Sequence, residues 1–127
     1  MKALVIDDSR VMRRIIGSQL QQLGFSVVEA ADGQQALDVL EGGERVELAC
    51  IDWNMPVMDG LTFVTRVREH RDWRGITLMM VTTESEHGQI VRALAAGAHE
   101  YLIKPFTPDA LREKLDLLGL APVQELA

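Results

Sequence analysis

Five short apolar runs recur along this 127-residue chain, at residues 3–6, 25–28, 48–51, 76–81 and 101–103, and a helical pattern follows each one. The central runs are continuous rather than alternating, as in strands covered on both faces. After Ser9, the residues Met12, Ile16, Leu20 and Leu23 keep near-helical spacing, with Arg13, Arg14, Gln21 and Gln22 on the other side and a stop at Gly24. Asp32 is placed to cap a second helix carrying Ala36, Leu37 and Leu40, which Gly42-Gly43 ends. Asp59-Gly60 opens a third, with Leu61, Val64 and Val67 inward. Ile90, Val91, Leu94 and Ala95 make the stripe of a fourth, stopped at Gly97. Thr107-Pro108, a cap followed by proline at the first helical position, starts a fifth through Leu111, Leu115 and Leu118. Five β-α units in this order predict right-handed crossovers and an α/β fold: a doubly wound, five-stranded parallel sheet with helices on both faces.

The length fits one domain with a core of useful size. No apolar stretch is long enough to span a bilayer, and the N-terminal run is too short for a secretory signal, so a cytoplasmic location is expected. The single cysteine, Cys50, lies inside an apolar run and reads as a small buried hydrophobe in a reducing compartment. A net charge of −6 argues against non-specific nucleic-acid binding.

Four polar islands stand where the apolar runs end: Asp7-Asp8, Asp52-Trp53-Asn54, Thr82-Thr83 and Lys104-Pro105. A parallel sheet brings all four to one edge, where ligands of such folds bind. Singly each is ordinary, since Asp-Asp also caps helices and Lys-Pro also makes turns. Together they assemble three carboxylates, a hydroxyl and an ammonium. Three ionised carboxylates repel one another and push at least one pKa upward unless a cation joins them. Oxygen-only donors suit Mg²⁺, whereas His70, His87 and His99 lack the spacing of zinc ligands. A carboxylate can also attack phosphorus, and Asp52, alone on the third strand, is the best placed to do so. Asp7-Asp8 then reads as the metal holder.

The joint pattern of Asp7-Asp8, Asp52-Trp53-Asn54-Met55-Pro56, Met58-Asp59-Gly60, Val81-Thr82, Ala96-Gly97-Ala98 and Lys104-Pro105-Phe106 resembles the receiver domain of two-component response regulators, most of all the stand-alone chemotaxis kind. The likeness implies a flavodoxin-like (βα)5 receiver over residues 1–120, with 121–127 as a short tail and no output domain. It implies Asp52 as phosphoacceptor, and Asp8, Asp52 and the Asn54 carbonyl as Mg²⁺ ligands with Asp7 acting mostly through water. Lys104, joined to Pro105 by a cis peptide, is implied to pair with the phosphoryl group. Thr82 and Tyr101 correspond to the switch pair, and Asn54 with Glu84 to positions that tune dephosphorylation, which is expected not to be especially slow. Thr83 departs from the alanine many relatives carry, and Glu84-Ser85-Glu86-His87 stands where flagellar-type members carry lysines.

The function these residues imply is phosphorylation of Asp52 by a histidine kinase, dependent on Mg²⁺, that switches a face made by the fourth helix, fifth strand and fifth helix. Ile90, Leu94, Tyr101, Ile103 and Lys114 are the candidate contacts there, and the protein target is unknown. The expected protein is a monomer that phosphorylation could dimerise, with no nucleic-acid or membrane partner, and not an enzyme acting on an external metabolite. The alternatives are a phosphorelay shuttle or phosphate sink and, further off, an aspartyl-phosphate phosphohydrolase. The last of these wants a second aspartate where Asn54 stands. An FMN carrier fails because Asp7-Asp8 would repel the FMN phosphate, and no helix-turn-helix segment follows the last helix.

Overall fold

The computed structural model describes residues 1–83 and 87–120. The strands are β1 (Lys2–Ile6), β2 (Ser26–Ala30), β3 (Leu48–Asp52), β4 (Thr77–Thr83) and β5 (Glu100–Lys104). The helices are α1 (Arg10–Gln22), α2 (Gly33–Glu41), α3 (Gly60–Glu69), α4 (His87–Ala96) and α5 (Pro108–Leu117). A 3-10 turn at Arg71–Trp73 precedes β4. All five strands pair in parallel, in the order β2-β1-β3-β4-β5. The chain runs outward from β1 to β2, then crosses back to β3, so the order reverses between β1 and β3. Ligands of doubly wound sheets bind at that reversal.

Period-two alternation divides the apolar runs between two cores. Leu4, Ile6, Ala49, Ile51, Leu78 and Met80 face one core with α2, α3 and α4, where Phe63 is fully buried. Ala3, Val5, Leu48, Cys50, Met79 and Val81 face the other, closed by Ile16 and Leu20 of α1 and Leu111 and Leu115 of α5. Ser9, Asp32, Asp59 and Thr107 accept hydrogen bonds from the N–H groups of Met12, Gln35, Thr62 and Ala110. Caps of this kind contribute about 1 kcal/mol each. Asp7-Asp8 is thereby released from capping, because Ser9 performs it. Cys50 is buried as expected, and burial pushes its thiol up to about 12.

The fourth helix differs from its expected facing. Ile90 and Ala93 are buried, while Val91 is 68% exposed and Leu94 39% exposed, with Ala95 also outside. Apolar residues at both i, i+3 and i+1, i+4 offer two stripes, and the smaller side chain of Ala93 is the one packed inward. Glu84 and the 121–127 segment lie outside the described residues. No helix among those described is long and apolar enough to cross a membrane.

Candidate functional site

The site is built at the carboxyl ends of the strands. Asp7 follows β1 directly, Asp52 is the last residue of β3, Thr82 is the penultimate residue of β4, and Lys104 closes β5. Three of the four islands therefore sit inside strand ends, where sheet hydrogen bonding fixes their backbone. Carboxylate oxygens of Asp7, Asp8 and Asp52 lie within 4.8 Å of one another. Asp7, Asp52 and Thr82 are the buried polar residues among those described, and Asp8 is exposed. Lys104 Nζ donates to Asp7 Oδ2 at 3.0 Å and to Asp52 Oδ1 at 3.4 Å. The Lys104-Pro105 peptide is cis.

Burial is the main cause that raises Asp52 to about 6; Lys104 opposes it, while Asp7 and Asp8 add to it. Burial works to lower the Lys104 ammonium, but its hydrogen bonds to Asp7 and Asp52 and their charges outweigh it, so it titrates above the ordinary lysine value. The site thus holds more negative charge than one ammonium can balance. Oxygen donors, shared negative charge and a carboxylate raised by burial are the conditions that a hard divalent cation relieves. The residues present fit Mg²⁺.

The loop from Asn54 to Asp59 shapes one wall. Val57 takes a positive φ of 71° and is 81% exposed, and Met58 N–H donates to Pro56 O at 2.7 Å across it. A β-branched residue in the left-handed region is strained, and such strain concentrates at functional sites. Behind the loop, a Cβ on Gly60 would fall 2.6 Å from the Asp52 carbonyl oxygen. Only glycine lets α3 begin this close to the acidic residue. Beside the site, Met12, Ile15, Thr83, Lys104, Pro105 and Phe106 line an apolar cavity of about 330 Å³. Sequence patterning gave no sign of that cavity, since its walls come from three separate segments.

The profile of the response regulator receiver domain matches residues 3–116. The chain is a response regulator receiver domain. It is 47% identical over 121 residues to the chemotaxis protein CheY homolog of Campylobacter jejuni, covering 94% of this chain and 93% of that one. It is 43% identical to chemotaxis protein CheY1 of Helicobacter pylori over 119 residues, or 93% and 96% of the two chains. Among solved structures, chemotaxis protein CheY4 of Vibrio cholerae superposes with a TM-score of 0.84 at 36% identity, covering 91% of this chain and 96% of that one. The receiver domain of sensor histidine kinase PA1611 from Pseudomonas aeruginosa, with a magnesium ion coordinated in its active site cleft, gives 0.82 at 29% identity over 91% and 94%. The CheY-like (βα)5 fold expected from the sequence is the fold observed.

The other candidate residues of this receiver are distributed unequally. Asn54 is exposed on the loop that follows Asp52. Tyr101 is half-buried, with Lys114 Nζ 4.6 Å from its ring centroid and 3.0 Å from Glu100 Oε1. Leu94 reaches the surface and Ile103 is half-buried. Ile90, by contrast, is 3% exposed and packs in the core.

Proposed function

We propose that this receiver belongs to a response regulator phosphorylated on Asp52 by a histidine kinase in a Mg²⁺-dependent reaction, whose α4-β5-α5 face then engages a protein target in chemotaxis-type signalling. The observation that carries the reading is the placement of Asp52. It is buried at a strand end, within 4.8 Å of two further carboxylates and bonded to one ammonium. A carboxylate so placed is oriented for attack, and its neighbours supply the charge that phosphoryl transfer needs.

Asp8 and Asp52, with Asp7 behind them and the Asn54 carbonyl beside them, would hold the cation. Bound there, Mg²⁺ supplies positive charge that keeps Asp52 ionised and offsets the charge of the phosphoryl oxygens. An Asp52 oxygen attacks phosphorus as the bond from phosphorus to the donor's imidazole nitrogen breaks, leaving the imidazole and an aspartyl-phosphate. The apolar cavity beside Lys104 supports a seat for the donor. Lys104 gives up part of its hold on the carboxylates to pair with the new phosphoryl oxygens, and Thr82 turns its hydroxyl to them.

The added charge of about −1.5 to −2 favours whichever arrangement of Thr82 and Lys104 meets it. Tyr101 lies three residues before Lys104 on the same strand and carries that preference toward Leu94, Ile103 and Lys114. The Mg²⁺ ion in the cleft of the PA1611 receiver and the chemotaxis names of the CheY relatives support the cation and the signalling class. Asn54, exposed at the mouth, positions a water for loss of the phosphoryl group. No external metabolite is converted. Intact mass after incubation with a small phosphodonor tests the reading: one phosphoryl group is gained in Mg²⁺ and none in a chelator. Equal gain in both would remove the metal from the reaction.

A further inference from the structure

We infer that Arg13 is a positioning residue of the carboxylate site, holding the Asp7-Asp8 peptide so that Asp8 stays turned toward Asp7 and Asp52; the inference rests on the Mg²⁺ reading above. The sequence places Arg13 on the polar side of α1, the usual place of a solvated charge. The structure uses it otherwise. Its side chain is only 15% exposed. Nη1 donates to the Asp7 carbonyl oxygen at 2.7 Å, and Nε donates to Glu29 Oε1 on β2 at 3.1 Å.

The Asp7 carbonyl belongs to the peptide that joins Asp7 to Asp8, so Arg13 fixes the plane from which Asp8 departs. The other side of Asp7 is fixed as well, because its N–H donates to Ala30 O at 3.2 Å. The Asp7 carboxylate is held by Ser9 N–H at 2.9 Å and by Lys104. Asp8 contrasts with it. Its side chain is exposed, and among the described residues no hydrogen bond holds its carboxylate. What keeps an Asp8 oxygen within 4.8 Å of the other two is therefore its backbone, and Arg13 anchors that backbone.

Arginine suits the task, since its planar fork presents Nη1 and Nε in fixed relation to two acceptors, which a lysine ammonium on a flexible stem does not. Glu29 offsets the guanidinium charge, so the clamp adds little repulsion toward a cation. A role in orientation and a role in charge have opposite consequences. Removing a positive charge near the site tightens cation binding; losing the clamp weakens it.

The test is calorimetric titration of Mg²⁺ into the natural protein, Arg13→Gln and Arg13→Lys at pH 7, with thermal melts of each in chelator. The proposal expects Arg13→Gln to weaken Mg²⁺ by about tenfold, the low end of what an outer-shell partner contributes to a metal site. Arg13→Lys, which keeps the charge but not both bonds, falls between. Unchanged or tighter binding in both variants overturns the proposal, and lower melting temperatures with unchanged Kd reduce Arg13 to a structural role. Absence of Mg²⁺ binding by the natural protein overturns the metal reading itself and this inference with it.

Discussion

Lys104 Nζ lies closer to the Asp7 carboxylate, at 3.0 Å, than to the Asp52 carboxylate, at 3.4 Å. The ammonium is therefore shared between two carboxylates, Asp7 and Asp52, and it occupies charge that a cation would otherwise use. Lys104→Met is expected to tighten Mg²⁺ binding several-fold while impairing the phosphorylation-dependent change at the α4-β5-α5 face. Calorimetry on the variant checks the first part. Weaker Mg²⁺ binding would show that Lys104 organises the carboxylates rather than competing for them.

Asp52 gives a pH signature of its own. Its pKa in the folded protein, about 6, lies above the ordinary carboxylate value, so the folded state holds this proton more tightly than the unfolded chain. The contribution to stability is then greatest below about pH 4 and is lost as pH rises through 6. In chelator, Asp52→Asn is expected to melt a few degrees above the natural protein at pH 7. That corresponds to about 1–2 kcal/mol once solvent screening at the open mouth is allowed for. The difference should shrink toward pH 4. A variant less stable than the natural protein at pH 7 would contradict the assignment.

Gly60 tests the packing of α3 under the site. With a Cβ 2.6 Å from the Asp52 carbonyl and 3.0 Å from Met80 Cε, Gly60→Ala has backbone on one side and no room to yield. A loss of about 1–3 kcal/mol is expected, as for overpacking elsewhere, together with weaker Mg²⁺ binding because Asp52 must move. Chemical denaturation and calorimetry read the two effects separately.

At the opposite edge of the sheet, Arg68 and His99 form a second junction. Arg68 donates to the carbonyls of Gly97, Arg74 and Ile76 at 3.0, 3.0 and 2.9 Å. Leu78 N–H donates to His99 Nδ1, which also lies 3.1 Å from Arg68 Nη2, so Nδ1 must be unprotonated. Burial and then the Arg68 charge lower the His99 pKa. Its contribution to stability is present above about pH 6.5 and is lost as pH falls toward the lowered value. Titration followed by NMR should place His99 below the ordinary histidine midpoint. A midpoint at or above 6.5 would mean that the junction opens in solution.

The sheet and its charged edge were legible because each depends on strongly patterned residues. Continuous apolar runs mark strands covered on both faces, and acidic or basic residues that stop such runs must emerge at one edge. What escaped depends on choices between side chains of similar kind. Ala93 packs inward where Leu94 does not, and no spacing rule separates those stripes. Arg13 stands on the polar side of its helix, yet it donates to the Asp7 carbonyl, as Arg68 does to that of Gly97, and a one-dimensional reading cannot bring such carbonyls near. Val57 takes a conformation normally left to glycine, and the β-branched residue at that position gives no sign of it.

The central claim is that Asp52 itself receives the phosphoryl group. The most direct measurement treats the natural protein with a small phosphodonor and Mg²⁺, reduces the product with borohydride, and locates the modified residue by peptide mass. Reduction converts an aspartyl-phosphate to homoserine, and the account predicts homoserine at position 52 alone. Homoserine at position 7 or 8, or none at 52 despite uptake of a phosphoryl group, would contradict it.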